Sequence, residues 1–176
     1  THGTVYTGPI AVSNSTRIRV RVFEAGLAPG QVITRSYVQL AADVLGFSSN
    51  LPIVVVDTFG DGITQDFLAE TLTSIIPTAG SGRASMTDTP SFVGPAGLKI
   101  RGSSSTQFPK KQFALEAWDG IRDDLDVSLL GMPPESDWIL YAPYTDKTLM
   151  RDFLAYKWSN GIGRYAVRTR YVQTYL

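Results

Sequence analysis

The stretch GLKIRGSSSTQFPKKQFALEAW, residues 97–118, decides the fold of this chain. Two strand-like runs, residues 97–102 and 111–118, flank a short polar loop. The loop holds three consecutive serines, a threonine, a proline and two adjacent lysines, and Gly102 at its start permits a tight turn. The segment therefore predicts two neighbouring strands of a sheet, joined by a loop in which hydroxyl groups and cations are concentrated.

The chemistry of this loop suits an anion. Its hydroxyl and amide groups can donate hydrogen bonds, and Lys110 or Lys111 can supply a positive charge at the start of a strand. Strand alternation sends one of these lysines inward and the other outward. The Walker motif G-x-x-x-x-G-K-[ST] is not present. Residue types alone leave two alternatives, a phosphate or carboxylate site and a serine-rich hairpin turn.

Composition limits the other possibilities. The chain has 176 residues, 43% of them hydrophobic, as expected for a globular protein. The 16 Lys and Arg residues balance 16 Asp and Glu residues, so no overall charge steers the chain to nucleic acid or an anionic membrane. No run approaches the roughly 20 apolar residues that a membrane-spanning helix needs. Any anion site must therefore be local.

The sequence also argues against several metal and catalytic sites. It has no cysteine, and His2, beside the first residue, is its only histidine, which argues against a Ser-His-Asp hydrolase or a histidine zinc site. A calcium loop counted from Asp57 would place Phe59 at position three and Leu68 at position twelve, where oxygen ligands are required. A polar turn after a buried strand explains these acids better.

A cluster of carboxylates follows the second strand of the opening stretch. Paired carboxylates can perform glycoside hydrolysis, but nothing in the sequence fixes a pair at the required separation. Exposed turn acids are the simpler interpretation. The cluster comprises Glu116, Asp119, Asp123, Asp124 and Asp126.

The first forty residues are predicted to be all-β. In TRIRVRVFEAG, Ile18, Val20 and Val22 share one strand face, and the intervening arginines share the other with Phe23. QVITRSYVQL supplies a second strand and YTGPIAVSNS a third, short one. Residues 43–50 are a linker by composition.

The remainder predicts an α+β fold, with an antiparallel sheet and one main helix. LPIVVVDT is a buried central strand, WILYAPY a further strand, and residues 65–73 at most a short helix. DKTLMRDFLAYKWSNGIG is the best helix, capped by Thr145 or Asp146. RYAVRTRYVQTYL is a last strand with no partner after it.

These motifs resemble the spore-coat CotH-type kinase family over about residues 51–176. The matching segments are the opening stretch, LLGMPPESDWILYAPYTDKTLMRDFLAYKW, and RYAVRTRYVQTYL. They follow the family's order of R-G-x-S-S, P-K-K, L-L-G-x-P, S-D-W, D-K-[ST]-x-x-R and R-[TY]-x-[FY]-V. Pro143 is a departure, because the family commonly has Asn before the tyrosine. The resemblance implies a kinase-like N-terminal lobe.

The resemblance also implies a nucleotide site, in which ATP and Mg²⁺ are the expected cofactors. Lys110 or Lys111 would be the strand lysine that pairs with the nucleotide phosphates. Arg101 and Ser104 would support the loop around them.

A second group of residues would complete that site. Tyr141 or Tyr144 would lie on the adenine side. Asp146, Arg151 and Asp152, at the helix start, would organise the lysine or the phosphates. The family's catalytic and metal-binding acids belong to a C-terminal lobe and have no counterpart in this sequence, so no catalytic or metal residue is predicted here.

Residues 1–42 resemble part of a chitobiase/hexosaminidase C-terminal-type β-domain, through YTGPIAVSNSTRIRVRVFEAG. The resulting domain prediction is a partial immunoglobulin-like module at 1–42, a linker at 43–50, and the N-terminal portion of a CotH-like kinase domain at 51–176. Such β-domains often accompany CotH-type domains in large secreted bacterial proteins. An extracellular or cell-surface bacterial location is expected, and the chain carries no signal peptide.

Two functions follow as expectations. In the first, the chain is a fragment of an atypical kinase that phosphorylates protein hydroxyls, and is inactive alone. In the second, it is a non-catalytic surface or assembly module whose open sheet edges pair with neighbouring chains, with homo-oligomers as one outcome. The partners are a protein substrate in the first case and protein chains in the second, with no nucleic acid in either.

Overall fold

The computed structural model describes residues 3–176, and the prediction concerning His2 lies outside them. The described chain is mostly β with one α-helix, α1 (Arg151–Gly161), and a 3-10 helix (Ser104–Gln107). In chain order the strands are β1 (Thr16–Val20), β2 (Ile33–Tyr37), β3 (Ser48–Ser49), β4 (Ile53–Asp57), β5 (Ala69–Ile76), β6 (Ala84–Ser85), β7 (Phe92–Arg101), β8 (Gln112–Ala117), β9 (Asp137–Leu140) and β10 (Gln173–Tyr175).

A six-stranded sheet with the order β10-β4-β5-β7-β8-β9 is the central element. Its neighbours are antiparallel except for β10, which runs parallel to β4 with Gln173 opposite Ile53. The expectation that the last strand lacks a partner is therefore wrong. The partner is a strand early in the chain, which local sequence patterns do not reveal.

The main core lies on one face of this sheet. Strand alternation places Leu98 of β7 opposite Leu115 of β8, and both are buried. Val54 and Val56 of β4 and Ile75 of β5 extend the same cluster. Burial of these apolar side chains is the main force that stabilises the sheet.

Strand β5 replaces the short helix expected around residues 65–73, and that prediction is wrong. Thr71 and Thr73 are buried on the core face, and the Thr71 hydroxyl donates to the carbonyl of Ala96, 3.0 Å away. Pairing with β4 on one side and β7 on the other satisfies the β5 backbone. Tertiary pairing outweighs the weak helical pattern.

A second apolar cluster covers the other face near β4. Ile53, Ile76, Ala84 and Met86 are buried there, beneath the small sheet formed by β3 and β6. The ring of Phe47 meets Tyr175 edge-on at 5.0 Å. Part of the segment predicted as a linker thus packs against the main sheet.

Strands β1 and β2 form a separate antiparallel hairpin with Arg19 opposite Thr34. The third strand expected in YTGPIAVSNS does not form, because this segment has no ladder partner among residues 3–176. Several apolar side chains of this region are exposed, namely Val20, Val22, Phe23, Ile33 and Tyr37. The polar face of the hairpin, with Arg17, lies against the main sheet.

Helix α1 begins at Arg151, five residues after the start expected from the sequence. Asp146 nevertheless serves the helix start, since its carboxylate accepts the backbone N–H of Arg151 at 2.9 Å. None of the helix residues is buried, although Phe153 contacts Tyr171 at a ring distance of 5.2 Å. Across residues 3–176, no helix is both long and apolar enough to cross a membrane.

Candidate functional site

The loop between β7 and β8 is ordered by its own hydroxyl groups. Gly102 has a φ of +112°, a conformation that side-chain-bearing residues rarely adopt, and an added Cβ would overlap the Ser105 hydroxyl. The Thr106 hydroxyl donates to the Ser103 carbonyl at 2.6 Å. Gln65 donates to the Gly102 carbonyl at 3.1 Å. The serines and threonine thus form a compact 3-10 turn.

The two lysines of the loop have different surroundings. Lys111 is half-buried, and its Nζ donates to the Thr106 carbonyl at 2.5 Å. By strand alternation it lies on the side of Phe113, toward the core face, whereas Lys110 is exposed on the other side. Which of the two lysines would face a ligand stays a prediction. Lys111 holds the turn together, while Lys110 is open to solvent.

An aromatic stack connects this loop to the segment that precedes α1. The rings of Phe108 and Tyr144 lie 5.3 Å apart in a stacked arrangement. The Nζ of Lys147 lies over the Tyr144 ring, 4.2 Å from its centre. The stack brings together two segments that are more than thirty residues apart in the sequence.

A network of short-range hydrogen bonds fixes the carboxylate of Asp146. The Thr148 hydroxyl donates to it at 2.6 Å and the Thr148 N–H at 3.1 Å. The Arg151 guanidinium adds an ion pair at 3.5 Å. The Thr148 side chain first, and then the Arg151 backbone N–H, lower the pKa of Asp146. Asp146 is therefore a fixed anion at neutral pH.

Tyr141 and Asp152 form the next pair along this segment. The neighbouring Asp152 side chain is the main cause that raises the pKa of Tyr141 to about 12, followed by partial burial. Tyr141 therefore keeps its proton at neutral pH. Its side chain is half exposed, so the ring remains available for a contact.

The predicted site residues form two neighbouring groups. The loop contributes Lys110, Lys111 and the exposed Ser104 at one side of the Phe108–Tyr144 stack. Arg101, at the end of β7, is exposed, and no ion pair of its side chain is found within residues 3–176. The other group surrounds Asp146. The cations and hydroxyls of the loop are the groups that can hold a ligand with negative charge, whereas the Asp146 group offers carboxylates and a neutral tyrosine.

Sequence reasoning missed two residues of this arrangement. Phe108 could have been identified from the sequence, because a large aromatic residue within a short polar loop is expected to find a packing partner. Lys147 follows Asp146 directly, and its position over Tyr144 depends on the turn between β9 and α1. That turn includes Leu149 at a φ of +58°, which no sequence pattern indicates.

Two acidic residues outside this site, Asp57 and Asp119, have structural roles. Asp57 accepts the Ser15 hydroxyl at 2.7 Å and the Phe59 N–H at 2.7 Å, as expected for a polar turn. Asp119 accepts the N–H groups of Ile121 and Asp123 within its own loop. In the described part of the chain, no three His, Asp or Glu side chains come together as a metal site.

Comparison with known proteins supports the family resemblance. Residues 98–176 match the family model described as CotH kinase protein. No curated protein and no solved structure matches the chain. The resemblance of the N-terminal residues to a chitobiase-type domain stays a prediction. Residues 98–176 of this chain are thus similar to the CotH family.

Proposed function

We propose that this chain is part of a CotH-like atypical kinase that transfers phosphate from ATP to protein hydroxyl groups. The family match supports the class of protein. The loop between β7 and β8 would hold the nucleotide phosphates, and the segment around Tyr141 and Tyr144 would lie beside the adenine. The protein substrate would carry the hydroxyl group that accepts the phosphate.

The observation that carries this proposal is the stack between Phe108 and Tyr144. It joins a loop rich in hydroxyls and lysines to the segment that carries the half-exposed Tyr141 ring. A nucleotide needs both kinds of surface, cationic and polar for its phosphates and aromatic for its base. Neither segment alone offers both.

The loop residues fit a phosphate group. The backbone at Gly102 leaves no room for a Cβ, so the turn can close only with glycine there. Lys111 orders the turn through the Thr106 carbonyl, and Lys110 is an exposed cation that can reach a phosphate. Arg101 and the Ser104 hydroxyl can add donors from the two ends of the loop.

Bound ATP would supply the phosphoryl group that is transferred. The chain's own residues would orient it, with Asp146 holding the start of α1 in place and Tyr141 remaining protonated beside Asp152. The described carboxylates do not form a magnesium site, since Asp146 is already engaged by Thr148 and Arg151. Magnesium is implied by the family resemblance alone.

ATP titration tests this proposal directly. Calorimetry and backbone amide shifts would compare the chain with its Lys110→Ala and Lys111→Ala variants. Removal of one charge-assisted contact is expected to weaken ATP binding about tenfold. Lys157→Ala, on the exposed side of α1, is the matched control and should bind as the parent does. Unchanged ATP binding in both loop variants would contradict the assignment.

The finer architecture is also part of the proposal. We infer that residues 51–176 form the N-terminal lobe of a kinase-like fold and that residues 1–42 are an immunoglobulin-like module, joined through residues 43–50. The separate two-stranded sheet of β1 and β2 supports this division. An extracellular or cell-surface bacterial setting is proposed from the resemblance of the two parts.

An assembly module is the second candidate function. The exposed apolar residues of the β1–β2 region favour it, and β9 leaves one edge of the main sheet open among residues 3–176. Neighbouring copies of the chain would cover these surfaces. Sedimentation of the parent and of a Phe23→Ser, Ile33→Ser double variant tests this: a monomeric parent contradicts it, and an oligomer that the double variant dissociates supports it.

A further inference from the structure

A cluster of three arginines lies where the β1–β2 hairpin meets the main sheet. Glu70 of β5 is at its centre, with its side chain only 11% exposed. Arg17 Nη1 lies 3.3 Å from the Glu70 carboxylate, Arg19 Nη1 lies 4.0 Å from it, and Arg122 pairs with it as well. Strand β1 of the hairpin and a distant loop thus share one carboxylate.

The cluster carries more positive than negative charge. Besides Glu70, the one carboxylate in ion-pair contact with these arginines among residues 3–176 is Asp61, 3.2 Å from Arg17 Nη2. Three guanidinium groups therefore face two carboxylates. The surplus charge lies on the side of Arg19 and Arg122, whose side chains are 48% and 46% exposed, whereas Arg17 is 18% exposed.

A cavity of about 200 Å³ opens beside these two arginines. It lies between the hairpin and the loop that follows β8. Thr34, directly opposite Arg19 in the ladder, adds a hydroxyl group on the same strand face. The full lining is Arg19, Gln31, Val32, Thr34, Gly120, Ile121 and Arg122. Its walls are rich in hydrogen-bond donors.

The loop after β8 is built to hold Arg122 at this position. The loop closes through a bridge between Trp118 and Asp124, and Asp119 accepts two of its backbone N–H groups. Arg122 has a φ of +73°, which is strained for a residue with a side chain, and its guanidinium lies over the Trp118 ring at 5.9 Å. The strain is tolerated because the surrounding contacts fix it.

The positive charges of the three arginines also repel one another. Partial burial, and then the positive charges of Arg19 and Arg17, lower the pKa of Arg122. An anion between Arg19 and Arg122 would relieve this repulsion. The guanidinium groups retain N–H donors beyond those that reach Glu70, since each carries five.

We propose that the cavity between Arg19 and Arg122 is a binding site for a small oxyanion, a phosphate group above all. Its volume lies below the roughly 300 Å³ at which pockets for drug-sized ligands begin, so the ligand is inorganic phosphate or a small phosphate ester. Two guanidinium groups and a hydroxyl provide the charge-assisted donors that a phosphate requires.

This site is separate from the proposed nucleotide site. The Gly102–Lys111 loop precedes β8, and Arg122 lies in the loop that follows it. The six residues of β8 span about 20 Å at the usual rise of a strand. Binding here would therefore cross-link the hairpin and the main sheet, independently of ATP.

Titration of the whole chain with inorganic phosphate, followed by backbone amide shifts, tests the site. We expect saturable shifts at Gly120, Ile121 and the strand around Arg19, and at least fivefold weaker binding in Arg19→Gln. Arg35→Gln is the matched control, because Arg35 is on the same hairpin but on its opposite face. Arg35→Gln should bind phosphate as the parent does.

Two further arms separate the sources of the effect. Acetate at equal ionic strength tests whether a monocarboxylate suffices, and a binding as tight as that of phosphate would overturn the assignment to phosphate. Amide shifts confined to the Gly102–Lys111 loop would overturn the site itself. An equal loss of phosphate affinity in Arg19→Gln and Arg35→Gln would overturn it as well. Amide shifts of the unliganded Arg19→Gln variant verify that its hairpin is intact. If the hairpin of that variant is disrupted, Thr34→Val provides the test, and it is expected to weaken phosphate binding severalfold.

Discussion

The main sheet and the β1–β2 hairpin are built from the same alternating strand pattern, yet they bury opposite kinds of side chain. In the sheet, Leu98 is 0% exposed and Leu115 is 3% exposed. In the hairpin, Ile33 is 53% exposed, while Arg17 lies against the sheet and pairs with Glu70. The sheet is held by apolar packing and the hairpin by ion pairs and hydrogen bonds.

The difference shows that alternation alone does not say which face of a strand lies inward. Six paired strands provide enough area for an apolar core, whereas a two-stranded hairpin does not. The hairpin is therefore positioned by whatever surface it meets, and here that surface presents Glu70 and Asp57. The two regions should respond differently to substitution.

The largest effect is expected from a cavity in the sheet. Leu98→Ala removes a fully buried side chain and should lower the free energy of unfolding by about 3 kcal/mol. Ile33→Ala, the matched change in the hairpin, should lower the free energy of unfolding by about 0.5 kcal/mol or less. Urea denaturation measures both. Similar costs for the two variants would break the comparison.

A smaller effect is expected from overpacking of the sheet's second face. A Cβ at Gly97 would overlap the ring of Trp118 and the Cβ of Leu68. Gly97→Ala should therefore lower the free energy of unfolding by about 2 kcal/mol. Gly120→Ala is the control, since an added Cβ there meets nothing within 4 Å. Equal stability of the two variants in thermal unfolding would show that Trp118 is loosely packed.

Loss of the central carboxylate should release the hairpin and leave the sheet intact. Glu70→Gln removes the partner of Arg17, Arg19 and Arg122, at a cost of about 1–2 kcal/mol because two of the arginines are half exposed. Hydrogen exchange should become about tenfold faster in β1 and β2 and stay constant in β7. Glu24→Gln, an exposed acid, should change neither. Equal acceleration in β7 would mean that the hairpin is not a separate unit.

The smallest effect concerns the candidate site. Asp152→Asn removes the negative charge beside the Tyr141 hydroxyl and should lower the pKa of Tyr141 from about 12 toward the ordinary value of about 10. The raised pKa favours the protonated tyrosine in the folded chain, so its stabilising contribution is present below about pH 10 and is lost as the pH rises through 12. Carbon-labelled tyrosine NMR measures the titration, with Tyr141→Phe to assign the signal. An unchanged titration would show that burial, not Asp152, controls this tyrosine.

The sequence predicts the strands whose patterns are local and strong. The runs around Val54, Leu98, Leu115 and Trp138 become β4, β7, β8 and β9, and the polar loop lies where the opening stretch placed it. The strand predicted in WILYAPY ends at Leu140. Pro143, three residues later, has no N–H to donate to a strand ladder. Strand β5 escaped prediction because its threonines are buried through pairing on both sides, which is a tertiary effect.

The candidate site was predictable in composition and not in geometry. The residue types of the loop indicate anion chemistry, but the role of Lys111 depends on the turn that brings its Nζ to the Thr106 carbonyl. The stack between Phe108 and Tyr144 depends on how β9 leads into α1. The arginine cluster likewise depends on the docking of a hairpin onto a strand some fifty residues away in the sequence.

The parallel ladder between β4 and β10 has a consequence for the order of folding. Ile53 and Gln173 are opposite each other but 120 positions apart in the chain, whereas the β7–β8 pairing joins residues separated by one short loop. Closing so long a segment carries a large entropic cost, so local hairpins form earlier. We expect β10 to join the sheet late, after β4 and β5 provide its template. The aromatic contact between Phe47 and Tyr175 would then be among the last to form, which makes it a reporter of completed folding.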